Sequence, residues 1–173
     1  KFGLINERKN RLHEVVRLSG MNIPIGDDDK PLIKVASIPT AKLQVYFIDN
    51  EDYFKRKTVF NNKAGKFHKD NDERCLFFCK GVLETVIKLG WSPDIIHCND
   101  WMSSLIPLLI KTSYSDRHIF ENTKCIFSIY ENSFKEKLDK KMIDKIVDED
   151  IHKDMLSSLK SNDYSGLIKI ASE

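Results

Sequence analysis

Glycine and proline are scarce, seven and five in 173 residues. Such a composition excludes collagen-like, mucin-like and Gly/Pro-rich disordered chains. Neither sign of charge dominates. The 28 Lys and Arg against 26 Asp and Glu leave a net charge of +2. Basic and acidic residues are interleaved along most of the chain, so the gathered basic face that nucleic acid requires is missing. No apolar run approaches the roughly 18–20 residues of a membrane span, and no signal-peptide pattern opens the chain. The expectation is a cytoplasmic protein with no membrane and no nucleic-acid partner. The first residue is Lys1, not Met, so the natural N-terminus is expected upstream. Cysteine is limited to Cys75, Cys79, Cys98 and Cys125, without a C-x-x-C pair. All four read as reduced core or near-core thiols, and no metal site is expected. No Gly-rich phosphate loop, serine elbow, His-Glu-x-x-His or paired-carboxylate motif stands out.

What is present is globular. The chain is 41% hydrophobic and 31% charged. Its length falls within the roughly 100–200 residues of one domain, so residues 1–173 read as a single domain or a piece of one. Residues 1–30 open loop-like and continue as an apolar stretch broken by Gly20 and Pro24. Asp27 to Lys30 reads as a turn. Residues 32–38 and 42–49 read as strands of a hairpin, Leu43, Val45 and Phe47 alternating with Gln44, Tyr46 and Ile48. Residues 50–71 read as an irregular polar loop.

From Asp72 the period becomes helical through Cys75, Cys79, Val82, Val86 and Leu89, and Gly90 marks the end. Asp94 to Cys98 reads as a short buried strand, Trp101 to Lys111 as a helix that bends at Pro107, and Lys124 to Tyr130 as a second strand. Strand, helix, strand is a βαβ unit with parallel strands. The fold class is α/β, a mainly parallel sheet with a hairpin addition. Beyond Asn132, Leu138, Met142, Ile143, Ile146, Val147 and Ile151 give an amphipathic helical stripe.

Ligands of open α/β sheets bind beyond the carboxyl ends of the strands. Here those ends carry Asn99, Asp100 and Trp101, and Tyr130, Glu131 and Asn132. The βαβ order brings both ends to one edge of the sheet. Asp100 suits a base, an acceptor for sugar hydroxyls, or a helix N-cap. His97, inside the strand, reads as a buried, satisfied histidine. Trp101 offers a flat face to a sugar ring, or packs.

Pro93-Asp94-Ile95-Ile96-His97-Cys98-Asn99-Asp100-Trp101 resembles the "PDVVHAHDWH" segment of bacterial glycogen and starch synthases, glycosyltransferase family 5. Val45 to Asn50 with Tyr53-Phe54-Lys55-Arg56 is similar to the family's "VYFIDNxxYFxR". Asp72-Glu73-Arg74 with Phe77-Phe78 and Leu83-Glu84 is similar to its "NxERFxFFxxAxLE", and Phe2-Gly3-Leu4-Ile5 to its "PxYGxI". Cys125 to Tyr130 lies where the family has "TIHN".

The resemblance implies the Rossmann-like N-terminal, acceptor-side domain of a GT-B enzyme. Its family's Lys-x-Gly-Gly-Leu loop would lie before position 1 and its nucleotide-binding domain beyond 173. The implied activity is retaining transfer of glucose from ADP-glucose to the non-reducing end of an α-1,4-glucan. ADP-glucose would be a substrate, with no cofactor, and a second GT-B domain or partner would be needed for turnover.

The resemblance makes Asp100 and Tyr130 the catalytic candidates and Asn99, Trp101, Glu131 and Asn132 the substrate-binding ones. The sequence departs from the family at three histidines. Asn99 and Met102 stand for the two of "HDWH", and Tyr130 for the one of "TIHN", with Glu131 in place of its Asn. Those departures favour an alternative, a catalytically inactive glycan-binding or regulatory homologue.

Overall fold

The computed structural model describes residues 5–6, 9, 12–25, 28–38, 41–131, 133–146 and 153–173, with backbone alone over 13–33 and 153–154. Phe2-Gly3-Leu4, Val147, Ile151 and Asn132 therefore lie outside the described residues. The chain divides into two compact units, residues 1–68 and 69–173.

The first unit is a three-stranded antiparallel sheet in the order β1 (His13–Ile25), β2 (Asp28–Ile38), β3 (Leu43–Ile48). The expected hairpin is β2 and β3, paired from Ile38↔Leu43 to Ile33↔Ile48. The loop-like opening at Lys1-Phe2-Gly3 lies outside the described residues, and β1 falls on the apolar stretch that follows. Its interruptions at Gly20 and Pro24 hide the strand pattern; a register shift between Leu18 and Asn22 spans Gly20, and Pro24 pairs in register with Asp29. Asp28 to Lys30 are strand residues paired with Ile25, Pro24 and Ile23, not a turn. Ala36, Phe47, Ile48, Tyr53, Phe54 and Phe67 form the buried core of this unit. The segment after β3 is also more ordered than its polarity suggests. Asn50 caps a short helix, α1 (Glu51–Phe54), by accepting the Tyr53 N–H at 2.9 Å. Asn61 and Phe67 then form an antiparallel bridge.

The second unit holds the βαβ element. β4 (Ile95–Asn99) and β5 (Lys124–Ser128) pair in parallel, Ile95↔Lys124 through Asn99↔Ser128. α2 (Asn71–Lys88) precedes them and buries Cys75, Leu76, Cys79 and Leu83. Asp70 occupies its N-cap position without a side-chain capping bond, and Gly90, at φ +64°, provides the left-handed exit. The expected helix from Trp101 to Lys111 is two pieces. A 3₁₀ turn covers Trp101–Ser103, and α3 covers Ile106–Lys111. Pro107 sits in the first turn of α3, where its missing N–H is no loss, so it starts a helix instead of bending one.

α4 (Met142–Ile146), a 3₁₀ helix (Lys153–Ser161) and α5 (Tyr164–Ser172) complete the unit. Leu138, Met142 and Ile146 of the amphipathic stripe are buried. All four cysteines are free thiols; Cys75, Cys79 and Cys98 are buried, but Cys125 is exposed. Among the described residues, no helix is long and apolar enough to cross a membrane.

Candidate functional site

β4 and β5 end level with each other, and Asp100 is the corner where the chain leaves β4. Its N–H donates to the carbonyl of Ser128, the last residue of β5, at 2.9 Å. Its carboxylate Oδ1 accepts the Trp101 N–H at 2.9 Å. Its carbonyl accepts the Ser103 N–H at 3.1 Å and the Ser103 hydroxyl at 2.9 Å. These bonds hold Asp100 at φ 61°, ψ 178°, a backbone region that is essentially glycine's. Two thiols of α2 brace the turn that follows: Cys75 donates to the Trp101 carbonyl at 3.5 Å and Cys79 to the Met102 carbonyl at 3.3 Å.

Asn99 and Tyr130 meet, the Tyr130 hydroxyl donating to Asn99 Oδ1 at 3.0 Å. Asn99 Nδ2 donates in turn to the His97 carbonyl at 3.2 Å. Both side chains are exposed, so they present a polar pair at the strand ends. Glu131 is exposed beside them, and Asn132 is outside the described residues.

Of the two readings of Trp101, the structure shows packing. Trp101 is only 1% exposed and packs edge-on against Phe134, with ring centroids 5.1 Å apart. The expectation of a buried His97 is corrected. His97 is exposed, its Nε2 lying 2.7 Å from the Ser128 hydroxyl. The apolar run around it resembles a strand covered on both faces, but only one face is covered. Cys98 is buried on that side, while Ile95 and Ile126 on the other are 56% and 48% exposed. Period-two alternation of Ile95, His97 and Asn99 was the signal that sets them on one face.

Sequence reasoning missed Tyr164 and Phe134. The Tyr164 hydroxyl donates to the Tyr130 carbonyl at 3.3 Å, and its ring packs edge-on against Phe134 at 5.6 Å. The only sequence signal is Asp163 followed by Gly166, an N-cap pattern that announces a helix but not what its first residue reaches. Among the described residues, no group of His, Cys, Asp and Glu could hold a metal ion. The strand ends therefore carry two carboxylates, one amide and phenolic oxygens, a polar set suited to hydrogen-bonding a polyhydroxylated ligand.

The sequence profile of the starch synthase catalytic domain matches residues 1–172. The glycogen synthase of Chlorobium luteolum is 44% identical over 153 residues, covering 87% of this chain and 31% of that protein. The glycogen synthase of Chlorobium chlorochromatii is 48% identical over 132 residues, covering 75% and 27%. The chain thus spans less than a third of the length of these curated relatives. The solved catalytic domain of starch synthase IV from Arabidopsis thaliana, bound to ADP and acarbose, superposes with a TM-score of 0.70 at 18% identity. That match covers 93% of this chain and 32% of that one, and it shows a shared α/β, GT-B fold. With its strand-end cluster set on that fold and the family profile running from end to end, the chain belongs to the starch synthase catalytic-domain family.

Proposed function

We propose that this chain is the acceptor-side part of a retaining glucosyltransferase that moves glucose from ADP-glucose to the non-reducing end of an α-1,4-glucan. The observation that carries the reading is the family match over residues 1–172. The glycogen synthases at 44–48% identity support the reaction class. The ADP and acarbose bound to the starch synthase IV domain support a nucleoside-diphosphate donor and a glucan acceptor. The enzyme works in the cytoplasm, uses its sugar nucleotide as substrate and needs no cofactor. It requires the second GT-B lobe, since one wall does not make a cleft.

The chemistry follows from the strand ends. As the bond between glucose C1 and the diphosphate lengthens, positive charge develops on the sugar ring, and groups fixed in advance around that charge lower the barrier. Asp100, locked by its backbone bonds, supplies a fixed negative charge and an acceptor for a hydroxyl. Tyr130 and Asn99 hydrogen-bond the glucose where the family places histidines.

The test is incorporation of labelled glucose into glycogen by the complete protein, with ADP-glucose and UDP-glucose compared. Incorporation from ADP-glucose is expected. Glycogen binding with no incorporation from either donor would overturn the reading in favour of a non-catalytic homologue.

A further inference from the structure

β5 ends at Ser128, whose carbonyl is taken by the Asp100 N–H. Tyr130 therefore lies past the last ladder bond, and the sheet does not fix its peptide. Two tethers act on it instead. Its hydroxyl reaches Asn99, and its carbonyl accepts the Tyr164 hydroxyl. The second tether is built from a distant part of the chain.

Tyr164 is the first residue of α5, and that helix start is pinned. The Asp163 carboxylate accepts the Gly166 N–H at 3.0 Å, the Ser161 hydroxyl at 2.7 Å and the Lys137 ammonium at 2.6 Å. A Cβ at Gly166 would come within 2.6 Å of the Ser158 carbonyl oxygen, so the close approach requires glycine. The Tyr164 ring is held edge-on by Phe134, which is held edge-on by the buried Trp101, the residue after Asp100. Burial and the nearby Asp100 charge push the Tyr164 hydroxyl above its ordinary pKa, which keeps it a proton donor.

We infer that Tyr164 is a positioning residue of the transfer site. Its hydroxyl fixes the Tyr130 peptide, so that the Tyr130 phenol is presented to the glucose of the nucleotide sugar. The inference rests on the transferase reading of the same site. Removing that one hydroxyl leaves ring packing intact and frees the Tyr130 segment. Misplacement of a sugar-contacting group by about 1 Å costs up to about 100-fold in rate.

The experiment uses the complete protein and the variants Tyr164→Phe, Tyr130→Phe and the double substitution. Tyr164→Phe is expected to lower kcat for ADP-glucose about 10- to 100-fold, with KM nearly unchanged and thermal unfolding unshifted. In the Tyr130→Phe background it is expected to add nothing, since the phenol it positions is gone. Backbone amide exchange at residues 129–131 is expected to quicken in Tyr164→Phe. Wild-type kcat in Tyr164→Phe, or a loss that adds in full to that of Tyr130→Phe, overturns the inference. If the wild-type protein transfers nothing, the transferase reading falls, and the exchange measurement decides the positioning claim by itself. Unchanged exchange at 129–131 overturns it.

Discussion

Asp100 carries two demands that pull apart. Its carboxylate is wanted at the site, and its backbone sits where glycine belongs, at φ 61°. A non-glycine residue there costs about 1–3 kcal/mol, held by surrounding bonds. The carboxylate offsets part of that by accepting the adjacent Trp101 N–H. Asp100→Gly relieves the strain at the loss of a few tenths of a kcal/mol of capping, whereas Asp100→Ala keeps the strain and loses about 1 kcal/mol. Denaturant unfolding is expected to find Asp100→Gly at least as stable as wild type and about 1–2 kcal/mol more stable than Asp100→Ala. An Asp100→Gly protein less stable than Asp100→Ala contradicts the strain. The candidate site was legible at this scale in residue identity, because strand ends announce themselves in sequence. Burial was not. His97 is exposed where the sequence suggests burial, because covering a strand face depends on elements that the strand itself does not encode.

Among the elements, α2 and α4 are joined by one cation. Lys145 lies 2.7 Å from Asp72, 2.7 Å from Glu73 and 3.4 Å from Asp139. The Asp72 side chain is fully buried, and burial raises its pKa despite the Lys145 partner. The lysine is raised above its ordinary range, although its own burial opposes this, because the Asp72 and Glu73 carboxylates favour its charge. Lys145→Met leaves the Asp72 carboxylate buried without its cation. Removing one partner of a fully buried pair costs about 3–5 kcal/mol, and the partial exposure of Lys145 brings the expectation down to about 2.

The pH dependence has a definite sign. A carboxyl whose folded pKa is raised favours folding below its unfolded pKa near 4 and loses that contribution as pH rises through the folded value. In Lys145→Met the folded pKa of Asp72 climbs further. The deficit relative to wild type should therefore shrink when urea unfolding is moved from pH 7 to pH 5. A deficit that stays constant or grows contradicts it.

Elements differ in legibility for physical reasons. α2, β3 and the β4–β5 pair carry clean periods. β1 does not, since Gly20 and Pro24 interrupt its alternation and only pairing with β2 recovers it. Pro107 suggests a bend in sequence because a proline inside an apolar run looks the same whether it starts a helix or breaks one. Tyr164 was invisible because its partner lies 34 residues away.

At the scale of the whole molecule, the proposed function makes this chain one wall of a transfer site. It spans less than a third of its curated relatives, and the outer face of β4–β5 leaves Ile95 and Ile126 about half exposed. On that proposal it contributes a strand-end wall of Asn99, Tyr130 and Asp100, where the Tyr130 hydroxyl donates to Asn99. The central claim is that this wall takes part in glucosyl transfer. The measurement that tests it most directly is glucose incorporation from ADP-glucose into glycogen by the complete protein, wild type against Asp100→Gly, at equal folded concentration. Because the glycine variant is expected to fold as well as wild type, a rate difference reports on the carboxylate. The account predicts incorporation by wild type and a loss of about 100-fold or more in the variant. Equal incorporation by the two proteins would contradict it.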